Sequence, residues 1–247
     1  MIAFFKTIVY IPLYNILILI LNINWIDVGI ATVVLTVLVK LFLYPISKKS
    51  TITQIKMKEK ENELSLIKEK YKDKQDQAVK IMEFYKTNNI NPFSSILTVI
   101  IQIPIIFSLY YIFFRSGLPV IDTELLYSFV KVPTNVSMNF LGIIDVSQKS
   151  IFLAALAAVT TYWQMHIASS SVSKEDKNKS AFNEDGKPDF VKMMTKQMKY
   201  TMPFIVFFIS WKISGVVALY WFVSNLMSVA QDLYIKKQIA KTSLSRG

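Results

Sequence analysis

The chain has 247 residues, 53% of them hydrophobic and 13% aromatic, which is too apolar for an ordinary soluble domain of this size. It has no cysteine, which excludes disulfides, thiolate metal sites, a cysteine nucleophile and a lipid-modified N-terminal cysteine; its one histidine, His166, has no carboxylates close to it in sequence to complete a metal site. Neither catalysis nor a cofactor is expected, and the formal charge of +11 has to be read by its distribution, because the lysine-rich loops of a membrane protein stay in the cytoplasm.

Residues 2–23 (IAFFKTIVYIPLYNILILILNI) are apolar but interrupted by Lys6, Pro12 and Asn15. Two arrangements fit them: a helix lying in the outer interface, or an additional span entering from the cytoplasm. Either way the next segment runs from outside to inside. Asn22, Asn24, Trp25 and Asp27 mark an interface, where tryptophan favours headgroup depth. From Val28 to Ile46 about 19 residues are apolar or weakly polar, close to the ~30 Å of a bilayer's hydrocarbon core at 1.5 Å per helical residue. The first span is therefore expected over about 28–47. Lys40 sits inside it, at an insertion cost of roughly 2.5–3.5 kcal/mol. Thr32, Thr36 and Lys40 are spaced i, i+4, i+8 and share one stripe. Lys40 either snorkels to the nearby membrane end or faces a polar groove; the aligned threonines and the polar stripes on later helices favour the groove.

Residues 48–91 turn to Lys, Glu and Gln, with apolar residues at helical spacing on both sides of Lys72-Asp73-Lys74. This predicts an antiparallel helical hairpin in the cytoplasm, either a solvated arm without a partner or a contact arm for a ribosome, a targeting factor or a nascent chain. Asn91-Pro92 closes it, and a second span follows over about 93–114, with Ser95, Thr98 and Gln102 on one stripe and a kink expected at Pro104. Residues 115–149 are poor in lysine and form the outer connection, expected to carry short interfacial helices. The third span, about 150–168, is rich in alanine and carries Thr160, Thr161, Trp163 and Gln164 toward its inner end.

Residues 169–199 form a cytoplasmic loop, polar to Pro188 and amphipathic from Phe190 to Lys199. The fourth apolar run, about 201–213, is too short to cross alone and is expected to extend the preceding helix or to sit in thinned bilayer. A turn at Ser214-Gly215 leads to the fifth span, about 216–235, where Trp221, Ser224, Asn225 and Ser228 share a face. The tail, 236–247, is basic and uncapped, and is expected to be mobile. Residues 48–91, 171–199 and 236–247 hold 11, 7 and 4 of the 28 cations, so these three segments are assigned to the cytoplasm.

With these pieces in order, the chain resembles the YidC-type (Oxa-type) membrane protein insertases over nearly its whole length. The likeness rests on TVLVKLFLYP (Thr36 to Pro45), on the lysine-rich hairpin ending in Phe84-Tyr85-Lys86 and Asn91-Pro92, on Ile101-Gln102-Ile103-Pro104, and on GVVALYWFVSNLMSVAQ (Gly215 to Gln231). It implies an all-α membrane protein with a five-helix transmembrane core over 25–247, a cytoplasmic hairpin, an N-terminal helix over 1–24, and no large domain outside, as in the short forms of the family. It further implies a hydrophilic groove, closed outside, with a positive residue on the first core helix. Lys40 stands where the family usually carries arginine, keeping the charge without the planar fork for carboxylates, and Ser94 to Val99 departs from the family's usual Gly, Cys and Pro.

The expected groove residues are Lys40, Thr36, Thr32, Gln102, Thr98, Ser95, Asn225, Ser224, Ser228 and Gln164, with Lys40, Gln102 and Asn225 facing one cavity. The expected partners are nascent membrane proteins, membrane lipids and, through the hairpin and tail, the ribosome, the signal recognition machinery and a Sec-type translocon, with no specific nucleic acid. The expected location is the bacterial plasma membrane. The alternative is a small-solute or ion transporter using Lys40 as substrate counter-ion. Transporters of that kind usually show repeated halves and intramembrane acids, whereas here the acid nearest a span interior is Asp232, at the inner end, and no repeat relates the first two spans to the last two.

Overall fold

The computed structural model describes residues 5–91, 93–115, 118–169 and 190–244; at 93–99, 114–115, 169, 190–196, 198 and 242–244 it describes the backbone alone. A π-helical turn, Lys6–Tyr10, leads into α1 (Ile11–Leu21); then follow α2 (Val28–Phe42), α3 (Tyr44–Glu59), α4 (Glu61–Lys70), α5 (Lys74–Thr87), α6 (Phe93–Tyr110), α7 (Ile151–Ser169), α8 (Phe190–Lys212) and α9 (Gly215–Leu244). Two helices, over Ile151–Ala168 and Gly215–Lys241, are long and apolar enough to cross a membrane, and α2 with α3 makes a third if the bent pair is one span. The apolar runs Lys6–Leu21 and Ile100–Phe113 are shorter. Among the described residues, then, two or three spans meet the requirement of length and composition, where five were expected.

The first predicted span is bent. α2 ends at Phe42, and the chain turns at Leu43 by 62° into α3. Pro45, in the first turn of α3, has no N–H to continue the ladder of α2, so the break falls two residues ahead of it. The predicted first arm of the hairpin is therefore two helices, α3 and α4, parted at Lys60. The turn to the second arm is built by side chains. Asp73 Oδ1 accepts the N–H groups of Gln75 and Asp76 and caps α5, while Gln77 reaches back to the carbonyls of Lys68 and Tyr71 at the end of α4. α5 closes with Asn89 in the left-handed region (φ 51°) and a bond from Ile90 N–H to Tyr85 O, which satisfies a carbonyl of its last turn.

The outer connection departs from expectation. Among its described residues it holds, in place of interfacial α-helices, a 3₁₀ turn, Thr123–Leu125, and a β-hairpin of β1 (Asn139–Phe140) and β2 (Ile144–Asp145). This hairpin closes the N-terminal ends of two helices. Asp27 Oδ1 caps α2 at Ile30 N–H (2.8 Å), and its Oδ2 accepts the N–H of Leu141 at the hairpin tip (2.9 Å). Val28 N–H bonds to Ser137 O; Gly215 and Val216, opening α9, donate to Gln148 O and Val146 O. The otherwise orphaned donors of both helix starts are thus met by one short segment.

α1 lies along this outer connection. Its Tyr14 hydroxyl accepts from Asp122 N–H, Asn15 bonds to both Leu125 O and Tyr127 N–H, and Asn22 donates to Lys131 O. Its buried face, Leu13, Tyr14, Leu17, Ile18 and Leu21, joins Leu35, Ile105, Leu109 and Leu219 in the core. α8 runs unbroken through Pro203, so the amphipathic and apolar runs around that proline are one helix. α9 likewise continues through the basic tail to Leu244, where a mobile segment was expected. No glycine or proline interrupts 216–244, and Lys236 is tied to the carbonyl of Ile167 at the end of α7.

Candidate functional site

The residues buried on α2 are Val28, Gly29, Ala31, Thr32, Leu35, Thr36 and Lys40, a single stripe at helical spacing. It packs against α9, so Lys40 is carried into the helix interface and is only 9% exposed. Its ammonium donates to Ser228 Oγ at 2.8 Å, and its backbone carbonyl accepts from Gln231 Nε2 at 3.0 Å. The side chain turns to a neighbouring helix and is not laid out along the helix end.

The two threonines of the stripe do something else. Thr32 and Thr36 are fully or almost fully buried, and their hydroxyls bond to the carbonyls four residues back, Val28 O and Thr32 O. With the polar atom turned onto its own helix, each presents mainly a methyl group to its neighbours. Thr36 indeed lines a small gap with Leu13, Leu35, Val39, Ile105, Leu109 and Tyr220, a gap that is apolar and too tight for water.

On α9, Tyr220, Ser224, Ser228, Asp232 and Lys236 recur every four residues over about 24 Å of helix. Each is met from across an interface or within the stripe. Gln102 on α6 donates to the Tyr220 hydroxyl, Ser228 bonds to Ser224 O and receives Lys40, and Thr51 on α3 donates to Asp232 Oδ1 at 2.7 Å. Lys236 and, at 3.3 Å, Lys58 on α3 donate to the carbonyls of Ile167 and Ala168, where the negative end of the α7 dipole attracts cations. A polar seam therefore runs from Gln102 to the lysine-rich end, with Lys40 partway along it.

Asn225 does not join this seam. One residue on from Ser224 it is turned about 100° around the helix, and its amide donates to Thr161 Oγ1 (2.8 Å), Ala157 O (3.3 Å) and Thr160 Oγ1 (3.4 Å) on α7. Gln164, half-buried, lies one turn further along that face of α7. The structure thus brings Lys40, Ser224, Ser228 and Gln102 onto one side of α9 and sets Asn225 and Gln164 on the α7 side. The side chains of Ser95 and Thr98 lie outside the described residues. Tyr220, Gln231 and Thr51 were not singled out as groove residues. For Tyr220 the signal was available, since it precedes Ser224 and Ser228 at the same spacing; Thr51 lies among charged residues and had none.

Asn225 reads as a packing residue that ties α7 to α9. Asn225→Ala should lower thermal stability in detergent by about 1 kcal/mol, the usual worth of an interhelical polar contact in a membrane. It should leave untouched any preference set by the Lys40 charge. A variant as stable as the parent would show that the three contacts add nothing.

A family model described as "60Kd inner membrane protein" matches residues 19–242. The "Membrane protein insertase YidC" of Clostridium perfringens is 33% identical over 202 residues, which cover 81% of this chain and 75% of that protein. The protein of the same name from Clostridium tetani is 29% identical, over 88% of this chain and 86% of the relative. That from Fusobacterium nucleatum is 27% identical, over 85% and 86%.

Proposed function

The chain belongs to the 60Kd inner membrane protein family, a family of bacterial plasma-membrane proteins and not of enzymes, and we propose that it is a membrane protein insertase. The observation that carries the mechanism is the Lys40 ammonium, buried between α2 and α9 and held there by one neutral hydroxyl. An ammonium has three donors and is costly to bury on such terms. A client group that is polar or acidic offers it a better partner, so part of the cost of keeping Lys40 inside is recovered when a client enters.

The seam supports this reading. α2, α3 and α6 meet this face of α9 in part through side-chain hydrogen bonds at Lys40, Thr51 and Gln102. Such contacts are worth about 1 kcal/mol each within a membrane and can be exchanged for those of a client backbone or side chain. A segment bound for the outside would pass along the seam, which shortens the apolar path it must cross, and the client's own apolar helix would move sideways into lipid. In this arrangement five segments span: α2 with the start of α3, α6, α7, α8 and α9. α1 lies in the outer interface against the outer connection, and the lysine-rich segments are cytoplasmic, where the α3–α5 hairpin receives nascent chains from the ribosome or a Sec-type channel.

Reconstitution of the chain alone in liposomes with a small single-span client tests the proposal. The translocated end of the client should become resistant to added protease. Protection no greater than in liposomes without the chain would overturn it.

A further inference from the structure

We propose that Asp232 is the resident counter-ion of Lys40, and that an acidic client segment gains Lys40 by replacing it. Asp232 follows Ser228 by one turn on the same stripe of α9, and Ser228 is where the Lys40 ammonium ends, at 2.8 Å. The carboxylate does not touch the ammonium, since the ion pairs within 4.0 Å among the described residues are Lys60–Glu63 and Lys80–Glu83; the two charges are set one turn apart along the stripe, with Lys236 one turn further toward the basic end. Few other acids compete for the role: α1, α2, α6, α7 and α8 contain none, Asp232 is the one acid of α9, and Glu59 closes α3 at its far end.

The carboxylate is also positioned, not loose. Thr51 Oγ1 donates to its Oδ1 at 2.7 Å from α3, and Thr51 is itself buried. The neighbouring Gln231 holds the carbonyl of Lys40, so the residue next to Asp232 fixes the backbone at that position. The electrostatic arrangement along the seam is thus plus at Lys40, minus at Asp232, plus at Lys236. A neutral polar client segment can take the place of the Ser228 hydroxyl beside Lys40 without disturbing Asp232. An acidic one competes with Asp232 for Lys40, which makes Asp232 a specificity-determining residue: it sets how strongly acidic a client must be.

The client arm of the test rests on the insertase reading; the stability arm does not. Asp232→Asn removes the charge while its amide oxygen can still accept from Thr51. Insertion into liposomes is measured for a client with aspartates in its translocated segment and for the same client with asparagines in their place. The acidic-to-neutral ratio should rise roughly fivefold or more on Asp232→Asn, the range expected when a competing coupling is removed. A ratio unchanged or lowered by Asp232→Asn overturns the proposal. Independently, melting in detergent is followed for Lys40→Gln, Asp232→Asn and the double variant. Coupling of the two charges along the stripe makes the loss in the double variant smaller than the sum of the single losses, and additive losses overturn the assignment even if the chain inserts neither client.

Discussion

Lys40→Glu should cut insertion of an acidic client by roughly two orders of magnitude. A unit-charge pair at ~4 Å is worth about 4 kcal/mol at an effective dielectric near 20, before desolvation costs reduce it. Glutamate turns that attraction into repulsion and also sets a second carboxylate one turn from Asp232, so part of its effect falls on the fold. Lys40→Gln is the cleaner variant. It can still donate to Ser228 Oγ, the group that now receives the ammonium, and it should lose about tenfold with the acidic client while costing the neutral client little. Lys40→Arg keeps the charge and should keep most activity. Membrane potential works in the same direction, since moving a negative charge outward across an inside-negative membrane gains about 2.3 kcal/mol per 100 mV. Collapsing the potential should therefore add to the loss for acidic clients alone. Lys40→Leu separates a charge role from mere burial: an apolar residue removes the insertion cost, so if the ammonium only snorkelled, this variant would be fully active with both clients. Insertion rates of the four variants with paired acidic and neutral clients decide the matter.

The helices were legible because their apolar residues recur with the period of a helix or run unbroken, but the bend at Leu43 was not, since the expected first span, 28–47, ran on through Pro45. What escaped the sequence did so for physical reasons. Strands of two residues are too short to show a period of two, so the hairpin of Asn139–Phe140 and Ile144–Asp145 left no pattern. The tail continues as helix because Lys236 finds the end of α7, a partner distant in sequence. Within the site, spacing alone put Trp221, Ser224, Asn225 and Ser228 on one face. That face is wide enough to touch two neighbours, and only packing decides that Ser228 meets Lys40 while Asn225 meets Thr161. The spacing of the α2 threonines predicts groove lining by their hydroxyls, yet a helical threonine can satisfy itself four residues back, and both do. Position on a stripe says which residues are neighbours. It does not say where a hydroxyl points.

Gly29 carries the other large effect, at the opposite end of α2. A Cβ placed there would lie 2.3 Å from Phe140 Cδ2 and 2.6 Å from its Cβ and Cγ, far inside contact distance. Because the clash includes the base of the ring, rotation of the phenylalanine cannot relieve it, and β1 itself must move. β1 is held on one side by Val28 N–H to Ser137 O and on the other by Asp27 to Leu141 N–H, both at 2.9 Å, so displacing it strains the contacts that cap α2. Gly29→Ala should therefore destabilise by about 1–3 kcal/mol, the usual cost of overpacking, and Gly29→Val by more. The same displacement should expose residues 133–148 to protease added from outside, at a concentration that leaves the parent chain intact. Phe140→Gly removes the ring and the Cβ together, so the pair Gly29→Ala with Phe140→Gly should lose less stability than the two single losses summed. A Gly29→Ala chain with parental melting and a protease-resistant outer connection would mean that the hairpin does not seal α2 in the way its hydrogen bonds indicate. A destabilised single variant with no recovery in the pair would place the role of Gly29 in the backbone of α2 and not in its contact with Phe140.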